Sequence, residues 1–529
     1  MKVELFEGYI RNRKALCDEL KVMPLKSLEE TELKIIKEAF RRWGYGFCSR
    51  IYGAFAFVIR DEESGELFLA RDQMGQKSLF YYMTQDGSLL YGTTPADIVR
   101  DKRYRIEIDH EALQIYMMFG YPAGEKTLYK GVRKLPPGTY LLCRNGRVVT
   151  CEYDRLVFHP DASRSEEAWM EEIETTLRGI LREDLDHLRG RREGLTEAGS
   201  FLSGGVDSSY LLALSNVRKA FGIGYCEDAY SEAGPARATA RRLGAEFSEI
   251  RITADDFFRE LPEVIKTWGL PVADPSAAVF AMGCSRLKGD RSMSPPLSAM
   301  FSGEGADEFL AGYHIYRRAG SLARTGGPMY FGCDRVMKAA PAGQLLMLDR
   351  IYPGDGLLEE LYRRTENLEE TEHLSRLLLI DIRIWFEGDI LFCADRTAHA
   401  NGLDLFLPYA DRRFFELASG IPSSLKLKDG VGKYILRRTA EKVLPHETAF
   451  REKRGFAVPA KVWLQQEKYR RDIESLFFGT KAAQYFDLSL LRRYWISFLE
   501  GKEALWRFVY AVYVFLLWEE EVTDKKGIL

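Results

Sequence analysis

The order of hydrophobic and polar residues changes character near residue 155. Before that point, apolar and polar residues alternate in short runs, with the period of two that half-buried strands show. The exception is Leu28–Trp43, where apolar residues return at helical spacing. The pattern therefore predicts a β-rich unit over residues 1–155. Its predicted strands are 54–59, 66–70, 78–82, 139–143 and 147–153.

Residues 165–529 follow a different pattern. Up to about residue 310, short apolar runs alternate with helix-like runs, and the remainder is mainly helical. Strands that alternate with helices are typical of a doubly wound parallel sheet. The sequence therefore predicts an α/β fold, in which a β-rich sandwich precedes a parallel-sheet domain with a helical carboxyl-terminal part.

Local signals mark the limits of several helices. Between the two regions, 154–165 is polar, and Ser163-x-x-Glu166 predicts a capping box that opens the next helix. The apolar run 508–518 is too short to span a bilayer and predicts a core helix. Breaks that contain glycine or proline are predicted in the helical part at 324–328, 340–343 and 353–356.

A loop of small residues lies between a predicted strand and a predicted helix. It reads Ser203-Gly204-Gly205-Val206-Asp207-Ser208-Ser209. The glycines let backbone N–H groups approach a phosphate, the serines add hydroxyl donors, and the helix directs its positive end at the same anion. Asp207 would repel a bare phosphate, so its carboxylate predicts Mg²⁺ between them. The loop predicts a site for a nucleotide pyrophosphate, and it lacks the Gly-Lys-Ser/Thr of a Walker A loop.

A second, acidic turn has the same setting. Ser302-Gly303-Glu304-Gly305-Ala306-Asp307-Glu308 follows the apolar stretch 297–301. Two such turns at the ends of neighbouring parallel strands would face one crevice. Asp207 and Asp307 are then predicted to share one Mg²⁺, and Glu304 is a further carboxylate suited to proton transfer.

Together with Lys433 at the start of a predicted helix, these turns resemble the asparagine synthetase family of the ATP-pyrophosphatase superfamily. The resemblance extends from about residue 165 to 518. It implies ATP and Mg²⁺ as cofactors, catalytic roles for Asp207, Glu304 and Lys433, and a lysine on the pyrophosphate and acyl-adenylate. The residues implied to bind the nucleotide are Ser203, Gly204, Gly205, Asp207, Ser208, Ser209, Gly303 and Lys433.

The first region resembles the Ntn-type glutaminase domain of the same family, notably through 6–12, 53–57 and 135–138. That family opens with Met-Cys-Gly, and its amino-terminal cysteine is the nucleophile. Here the chain opens Met1-Lys2-Val3, and Glu7 stands where the family usually has an asparagine. The resemblance therefore implies a partial domain without its own glutaminase activity. Three explanations stay open: free ammonia as the nitrogen donor, another amine, or a misplaced start codon.

Composition excludes several other classes. The net charge of −3 gives no general affinity for polyanions, so no nucleic-acid partner is expected. Eight cysteines without Cys-x-x-Cys, and only seven histidines, give no zinc pattern. Free thiols and the lack of a signal-peptide core in residues 1–20 predict a cytoplasmic protein without a membrane partner.

The expected reaction is ATP-dependent activation of a carboxylate, with aspartate first, followed by transfer of ammonia or an amine. Ring-forming relatives that make β-lactams or lasso peptides are the alternative; Glu304 favours the asparagine side, since β-lactam-forming relatives have tyrosine there. Phe406 and Gly269-Leu270-Pro271 depart from the family and predict altered acceptor specificity. A non-catalytic nucleotide-binding paralogue is the third hypothesis. Exposed strand edges of a partial sandwich predict cover by a second copy, a partner subunit or a missing upstream segment.

Overall fold

The computed structural model describes most of the chain. The described residues are 1–191, 197–289, 297–318, 336–349, 351–352, 373–452, 455 and 457–523. The breaks predicted at 324–328 and 353–356 lie outside them.

The first region is built from antiparallel sheets. One sheet has the order β1-β2-β3-β7-β8 and another has the order β5-β4-β6. The β-rich prediction is confirmed: the five predicted strands are present, with limits that differ by a residue or two, and β1, β5 and β6 were not predicted. The strands are β1 (Lys2–Ile10), β2 (Gly53–Arg60), β3 (Leu67–Arg71), β4 (Phe80–Met83), β5 (Leu89–Gly92), β6 (Arg133–Lys134), β7 (Thr139–Arg144) and β8 (Arg147–Glu152).

Helices cover one face of this unit. The predicted helix over Leu28–Trp43 is present, capped by the Ser27 hydroxyl, which accepts a hydrogen bond from the Glu30 N–H. Strand β1 lies at a sheet edge, and its cover by a partner stays a prediction. The helices of this region are α1 (Arg13–Leu20), α2 (Leu28–Trp43), α3 (Ala96–Val99) and α4 (His110–Phe119), with a 3-10 turn at Gly44–Arg50.

The second region contains the predicted parallel sheet. Its strand order is β11-β10-β9-β12-β13, and every neighbouring pair is parallel. Strands β9 and β12 therefore lie side by side at the centre, with Phe301 opposite Ser200. The strands of this sheet are β9 (Glu197–Phe201), β10 (Lys219–Gly224), β11 (Glu246–Arg251), β12 (Leu297–Phe301) and β13 (Asp404–Phe406). Two further strands, β14 (Leu427–Lys428) and β15 (Val431–Gly432), form a separate antiparallel pair.

Helices surround this sheet and form the carboxyl-terminal part. Within the described residues, no helix is long and apolar enough to cross a membrane. They are α5 (Glu166–Arg191), α6 (Val206–Ser215), α7 (Ala233–Arg242), α8 (Ala254–Trp268), α9 (Pro275–Gly289), α10 (Ala306–Leu310), α11 (Ala339–Leu345), α12 (His373–Asp381), α13 (Phe392–Asn401), α14 (Arg412–Gly420), α15 (Ser423–Lys426), α16 (Tyr434–Ala440), α17 (His446–Ala449), α18 (Ala460–Leu464), α19 (Glu467–Phe477), α20 (Ala482–Tyr485), α21 (Leu488–Leu499) and α22 (Trp506–Thr523), with a π-helical segment at Ile382–Leu391.

Three helix predictions can be compared with these limits. Residues 508–518 are buried within α22, as predicted for a core helix. The break at 340–343 is wrong, because Pro341 falls in the first turn of α11, where the missing N–H has no intrahelical partner. The capping box is also wrong. Ser165, not Ser163, accepts from the Ala168 N–H at 3.2 Å, while the Ser163 hydroxyl donates to Asp161.

Buried ion pairs join the two regions. Arg11 follows β1, and its guanidinium donates to Asp184 of α5 at 2.7 Å and to Asp411 at the start of α14. All three side chains are fully buried. Burial raises the pKa of Asp184 to about 6, although Arg11 acts in the opposite direction. The Arg11 charge therefore makes the burial of Asp184 tolerable, and it shares Asp411 with Arg413, which lies 3.0 Å away.

Glu387 forms a second buried ion-pair junction between the two regions. Glu387, from the π-helical segment, accepts from Arg71 at 2.7 Å and pairs with Lys134 at 2.8 Å. Burial works to raise the pKa of Glu387, but the two cations outweigh it and hold that pKa below its ordinary value. Glu387 is thus neutralised by cations of the first region, as Asp184 is by Arg11.

We expect Arg11→Met to lower the free energy of unfolding by about 3–5 kcal/mol, because it leaves the buried carboxylate of Asp184 without its cation. Asp411 keeps its ion pair with Arg413. Urea unfolding of the full chain measures this. The control is Lys14→Met, which breaks an exposed pair with Asp186 and should cost less than about 1 kcal/mol. Equal losses in the two variants would show that the buried pairs do not hold the regions together.

Candidate active site

The small-residue loop joins β9 to α6 at the carboxyl edge of the parallel sheet. Its hydroxyls form a compact network: the Ser203 N–H donates to Ser208 Oγ at 3.2 Å, and the Gly205 N–H donates to Ser203 Oγ at 3.3 Å. Gly205 occupies the N-cap position of α6. The loop therefore presents hydroxyls and the positive end of a helix to the same space.

Gly204 allows the loop to bend back on a neighbouring element. Its φ is +75°, and an added Cβ would lie 2.9 Å from the backbone nitrogen of Ala236 and 2.9 Å from Arg451 Nη1. No side chain fits there without displacing backbone. Gly204 thus acts through the shape of the loop, and it is not part of the cavity wall.

The acidic turn lies directly against this loop. Because β12 pairs with β9, the turn that follows β12 begins beside the loop that follows β9. At the contact, a Cβ on Gly303 would lie 3.3 Å from the Asp207 Cβ. The predicted crevice is formed by this juxtaposition of the two turns.

Lys433 lies between the carboxylates of the two turns. Its Nζ is 2.5 Å from Asp207 Oδ2 and 2.8 Å from Asp307 Oδ1, and the residue is 1% exposed. Burial acts to lower the pKa of Lys433, but the two carboxylates outweigh it and raise that pKa. The residue adopts φ +55° just before α16, which turns its side chain into the sheet edge. Three charges are thereby gathered at one point.

Glu304 has a different environment. Burial raises its pKa, a hydrogen bond from Ser302 acts in the opposite direction, and the charges of Asp207 and Asp307 raise it further. Its Oε2 atom is buried and has no hydrogen-bond partner among the described residues. A carboxylate in this state has a basicity suited to proton transfer.

The carboxylates of Asp207 and Asp307 fit Mg²⁺ by their chemistry. Mg²⁺ prefers oxygen ligands and commonly takes one or two carboxylates together with substrate phosphates. Both carboxylates face the same point, and Asp207 Oδ1 is buried without a hydrogen-bond partner in the described part of the chain. Within the described residues, no group of three or more possible ligands forms a complete metal site. The protein would therefore need phosphate oxygens to complete the set.

The predicted site residues gather around one cavity of about 650 Å³. Ser209 does not line it: this serine is fully buried in α6, and its hydroxyl has no partner among the described residues. Gly204 does not line it either. The predicted residues on the wall are Ser203, Gly205, Asp207, Ser208, Gly303, Glu304, Asp307 and Lys433.

The cavity wall also contains residues outside the motifs that the sequence singled out. Among them are Tyr225, Asp274, Trp385 and Arg507. Nothing in the local pattern of the turn at 273–276 indicates that it faces the same cavity. Tyr225 follows β10, and long-range packing of the π-helical segment and α22 brings Trp385 and Arg507 there.

Comparison with known proteins identifies the family. The asparagine synthase family profile matches residues 181–520, and a glutamine amidotransferase domain profile matches residues 2–154. Asparagine synthetase [glutamine-hydrolyzing] 1 of Bacillus subtilis is 28% identical, over 99% of this chain and 86% of the relative. A putative asparagine synthetase [glutamine-hydrolyzing] of Mycobacterium tuberculosis is 29% identical, over 98% and 84%.

Among solved structures, a glutamine-dependent NAD⁺ synthetase from Acinetobacter baumannii, in complex with ADP, is 13% identical. It covers 72% of this chain and 85% of that chain, with a TM-score of 0.21. A likeness at this level carries no conclusion about function.

The fold and the family together define an ATP-dependent, amide-forming ligase with an amidotransferase-like first region. The chain belongs to the asparagine synthase family.

We expect Gly204→Ala to weaken ATP binding at least tenfold, because the added Cβ would displace the loop from Ala236 and Arg451. Titration calorimetry with a non-hydrolysable ATP analogue and Mg²⁺ measures the change. Gly430→Ala is the control: its φ is +76°, but an added Cβ meets nothing within 4 Å. Equal losses in both variants would attribute the effect to backbone strain rather than to loop position.

Proposed function

We propose that this chain activates the side-chain carboxylate of aspartate with ATP and transfers ammonia or an amine to it, giving asparagine, AMP and pyrophosphate. The observation that carries the proposal is the position of the Lys433 ammonium between Asp207 and Asp307, with Glu304 on the wall of the same cavity. The charges of Lys433, Asp207 and Asp307 would act on the phosphates of ATP. The Glu304 carboxylate would act as the base for the incoming nitrogen.

In the first half-reaction, the hydroxyls of Ser203 and Ser208 and the N–H groups of their loop bind the nucleotide phosphates. Asp207 and Asp307 would hold Mg²⁺, which supplies neutralisation of phosphate charge. Lys433 adds a buried positive charge next to the leaving pyrophosphate, where low solvent access strengthens its effect. Adenylation is needed because a carboxylate is a poor electrophile, whereas AMP is a good leaving group.

In the second half-reaction, Glu304 takes a proton from the nitrogen that attacks the acyl-adenylate. Its buried Oε2 has no partner among the described residues, and burial raises its pKa. Both properties suit a base that must accept a proton during the reaction. Glu304 therefore acts on the amide-forming step and not on adenylation.

The first region supports ammonia or an amine, rather than glutamine, as the nitrogen source. Three of its cysteines, Cys17, Cys48 and Cys143, have pKa values raised by burial, whereas a cysteine nucleophile needs a lowered one. Glu7 is bound by Arg396 at 3.1 Å and faces His399 at 3.1 Å, so this part of the predicted glutamine segment is engaged by α13.

The residues that depart from the family pattern, Phe406 and Gly269-Leu270-Pro271, do not line the cavity. Phe406 is fully buried and packs edge-on against Tyr9, with ring centroids 5.4 Å apart. Leu270 is a core residue, and the Gly269 carbonyl accepts from the Trp518 ring N–H at 3.1 Å. Aspartate is therefore preferred over the acceptors of ring-forming relatives.

The first test is pyrophosphate release by the purified chain with Mg-ATP and aspartate. We expect release and asparagine formation with ammonium, and no asparagine with glutamine. Asparagine formation from glutamine would contradict the assignment of the nitrogen source. No pyrophosphate release with aspartate under any condition would contradict aspartate as the acceptor and would favour the substrates of ring-forming relatives.

Variants of the two carboxylates should separate the half-reactions. Asp207→Asn is expected to reduce aspartate-dependent ATP–pyrophosphate exchange by at least about 100-fold, because it removes charge at the phosphates. Glu304→Gln should retain exchange but reduce asparagine formation by about 100-fold or more.

The control for these variants is Glu467→Gln, which removes an exposed carboxylate at the start of α19. It should leave both reactions unchanged. Loss of exchange in Glu304→Gln would place Glu304 in adenylation and contradict its role as the base of the second step.

A further inference from the structure

The π-helical segment Ile382–Leu391 touches both the first region and the cavity. It is ten residues long and lies directly between α12 and α13. In a π-helix each N–H bonds to the carbonyl five residues back, an arrangement that is rare and is frequent at functional sites. Because the α-helix is the commoner arrangement, contacts with neighbouring elements must hold this segment in the π form.

The first region holds the segment at two consecutive residues. The buried carboxylate of Glu387 accepts hydrogen bonds from Arg71 Nη1 at 2.7 Å and from Lys134 Nζ at 2.9 Å. At the next position, a Cβ added to Gly388 would lie 3.1 Å from the Tyr121 ring. A pair of charged contacts and one close packing contact thus fix these residues against the first region.

Other residues of the same segment form part of the cavity wall. Trp385 and Ile390 both line the cavity. The Trp385 ring packs against Tyr313 on the same wall, with ring centroids 4.7 Å apart, and its N–H donates to Asp389 Oδ2 at 3.1 Å. The turns that the first region holds are therefore the turns that build this part of the wall.

The segment also supports the acidic turn through Phe386. This side chain is fully buried and packs edge-on against Phe309 of α10, with ring centroids 5.7 Å apart. A Cβ added to Gly305 would lie 3.3 Å from the Phe386 ring. The turn that carries Glu304 therefore rests on the residue that precedes Glu387 in the chain.

A change of helical register would move all these side chains together. Conversion of one π turn to an α turn removes one residue from that turn, so the residues beyond it rotate by about 100° around the helix axis. Movement of Glu387 away from Arg71 and Lys134 would also separate buried opposite charges, which is costly. The ion pairs of Glu387 therefore oppose any change of register.

We propose that the first region is a positioning element for the cavity. Arg71 and Lys134 fix Glu387. Through the register of the π-helical segment, they set the places of Trp385 on the wall and of Phe386 beneath the acidic turn. The three charged residues are positioning residues, since none of these described side chains lines the cavity.

The first readout is the environment of the Trp385 ring, which can be measured without any activity. The full chain is labelled with 5-fluorotryptophan and observed by ¹⁹F NMR, and Trp385→Phe identifies the Trp385 signal among those of the eight tryptophans. Lys134→Met should shift this signal by more than its linewidth, because Glu387 loses one of its two cations. Lys134→Arg should keep the signal in place, and so should Lys14→Met, which breaks an exposed pair with α5.

Gly388→Ala tests the same junction without a change of charge. Its added methyl group would press on the Tyr121 ring of the first region and displace the segment, so the Trp385 signal should shift again. The control is Gly179→Ala in α5, where an added Cβ meets nothing within 4 Å. This pair of variants decides the question if Lys134→Met folds poorly.

The second readout is the ratio of asparagine formation to aspartate-dependent ATP–pyrophosphate exchange, and it rests on the proposed function. The ratio does not change with the fraction of folded enzyme, so a mere loss of stability would not move it. We expect Lys134→Met and Gly388→Ala to lower the ratio at least about fivefold, because the turn that carries Glu304 loses its support.

The outcomes distinguish the two proposals. An unmoved Trp385 signal in both Lys134→Met and Gly388→Ala would overturn the positioning role, and so would equal shifts in the two control variants. A shifted signal with an unchanged ratio would overturn it as well. A shifted signal in a protein whose unchanged chain shows no exchange with aspartate would support the positioning role and contradict the proposed function.

Discussion

Lys433 holds a positive charge in a buried position between two carboxylates that belong to different turns of the sheet. Without this ammonium, Asp207 and Asp307 would repel each other at the closest approach of the loops that follow β9 and β12. The position also requires a left-handed backbone at Lys433 and close packing at Gly303. The geometry of the cavity rim, including the place of Glu304, depends on this single cluster of charges.

Buried charges occur in two settings in this chain, at the rim of the cavity and at the junctions between the two regions. At the rim, the paired charges are arranged around a space that phosphates can enter. At the junctions of the two regions, Arg11 and Glu387 are instead fully enclosed by partners. Buried pairs of this kind contribute little net stability, but a missing partner is expensive. They therefore specify one arrangement of the two regions rather than strengthen it.

Much of this architecture could be predicted from the sequence. The strand–loop–helix pattern located both turns, and their closeness follows from the parallel sheet, because adjacent strands end at the same edge. The position of Lys433 between the carboxylates did not follow, since local patterns do not report contacts between distant segments. The same holds for Asp274, Trp385 and Arg507, which distant segments of the chain place on the wall of one cavity. Two local predictions failed for local reasons: Pro341 is tolerated in the first turn of a helix, and Ser165 supplies the cap in place of Ser163.

The ion pairs of Arg11, Arg71 and Lys134 affect whether the second region can exist without the first. A second region expressed alone would leave Asp184 and Glu387 without the cations that pair with them, whereas Asp411 would keep Arg413. Deleting the first region is therefore not a neutral step, whatever chemistry that region retains. The first region therefore supplies cations that buried carboxylates of the second region require, independently of any reaction in the first region.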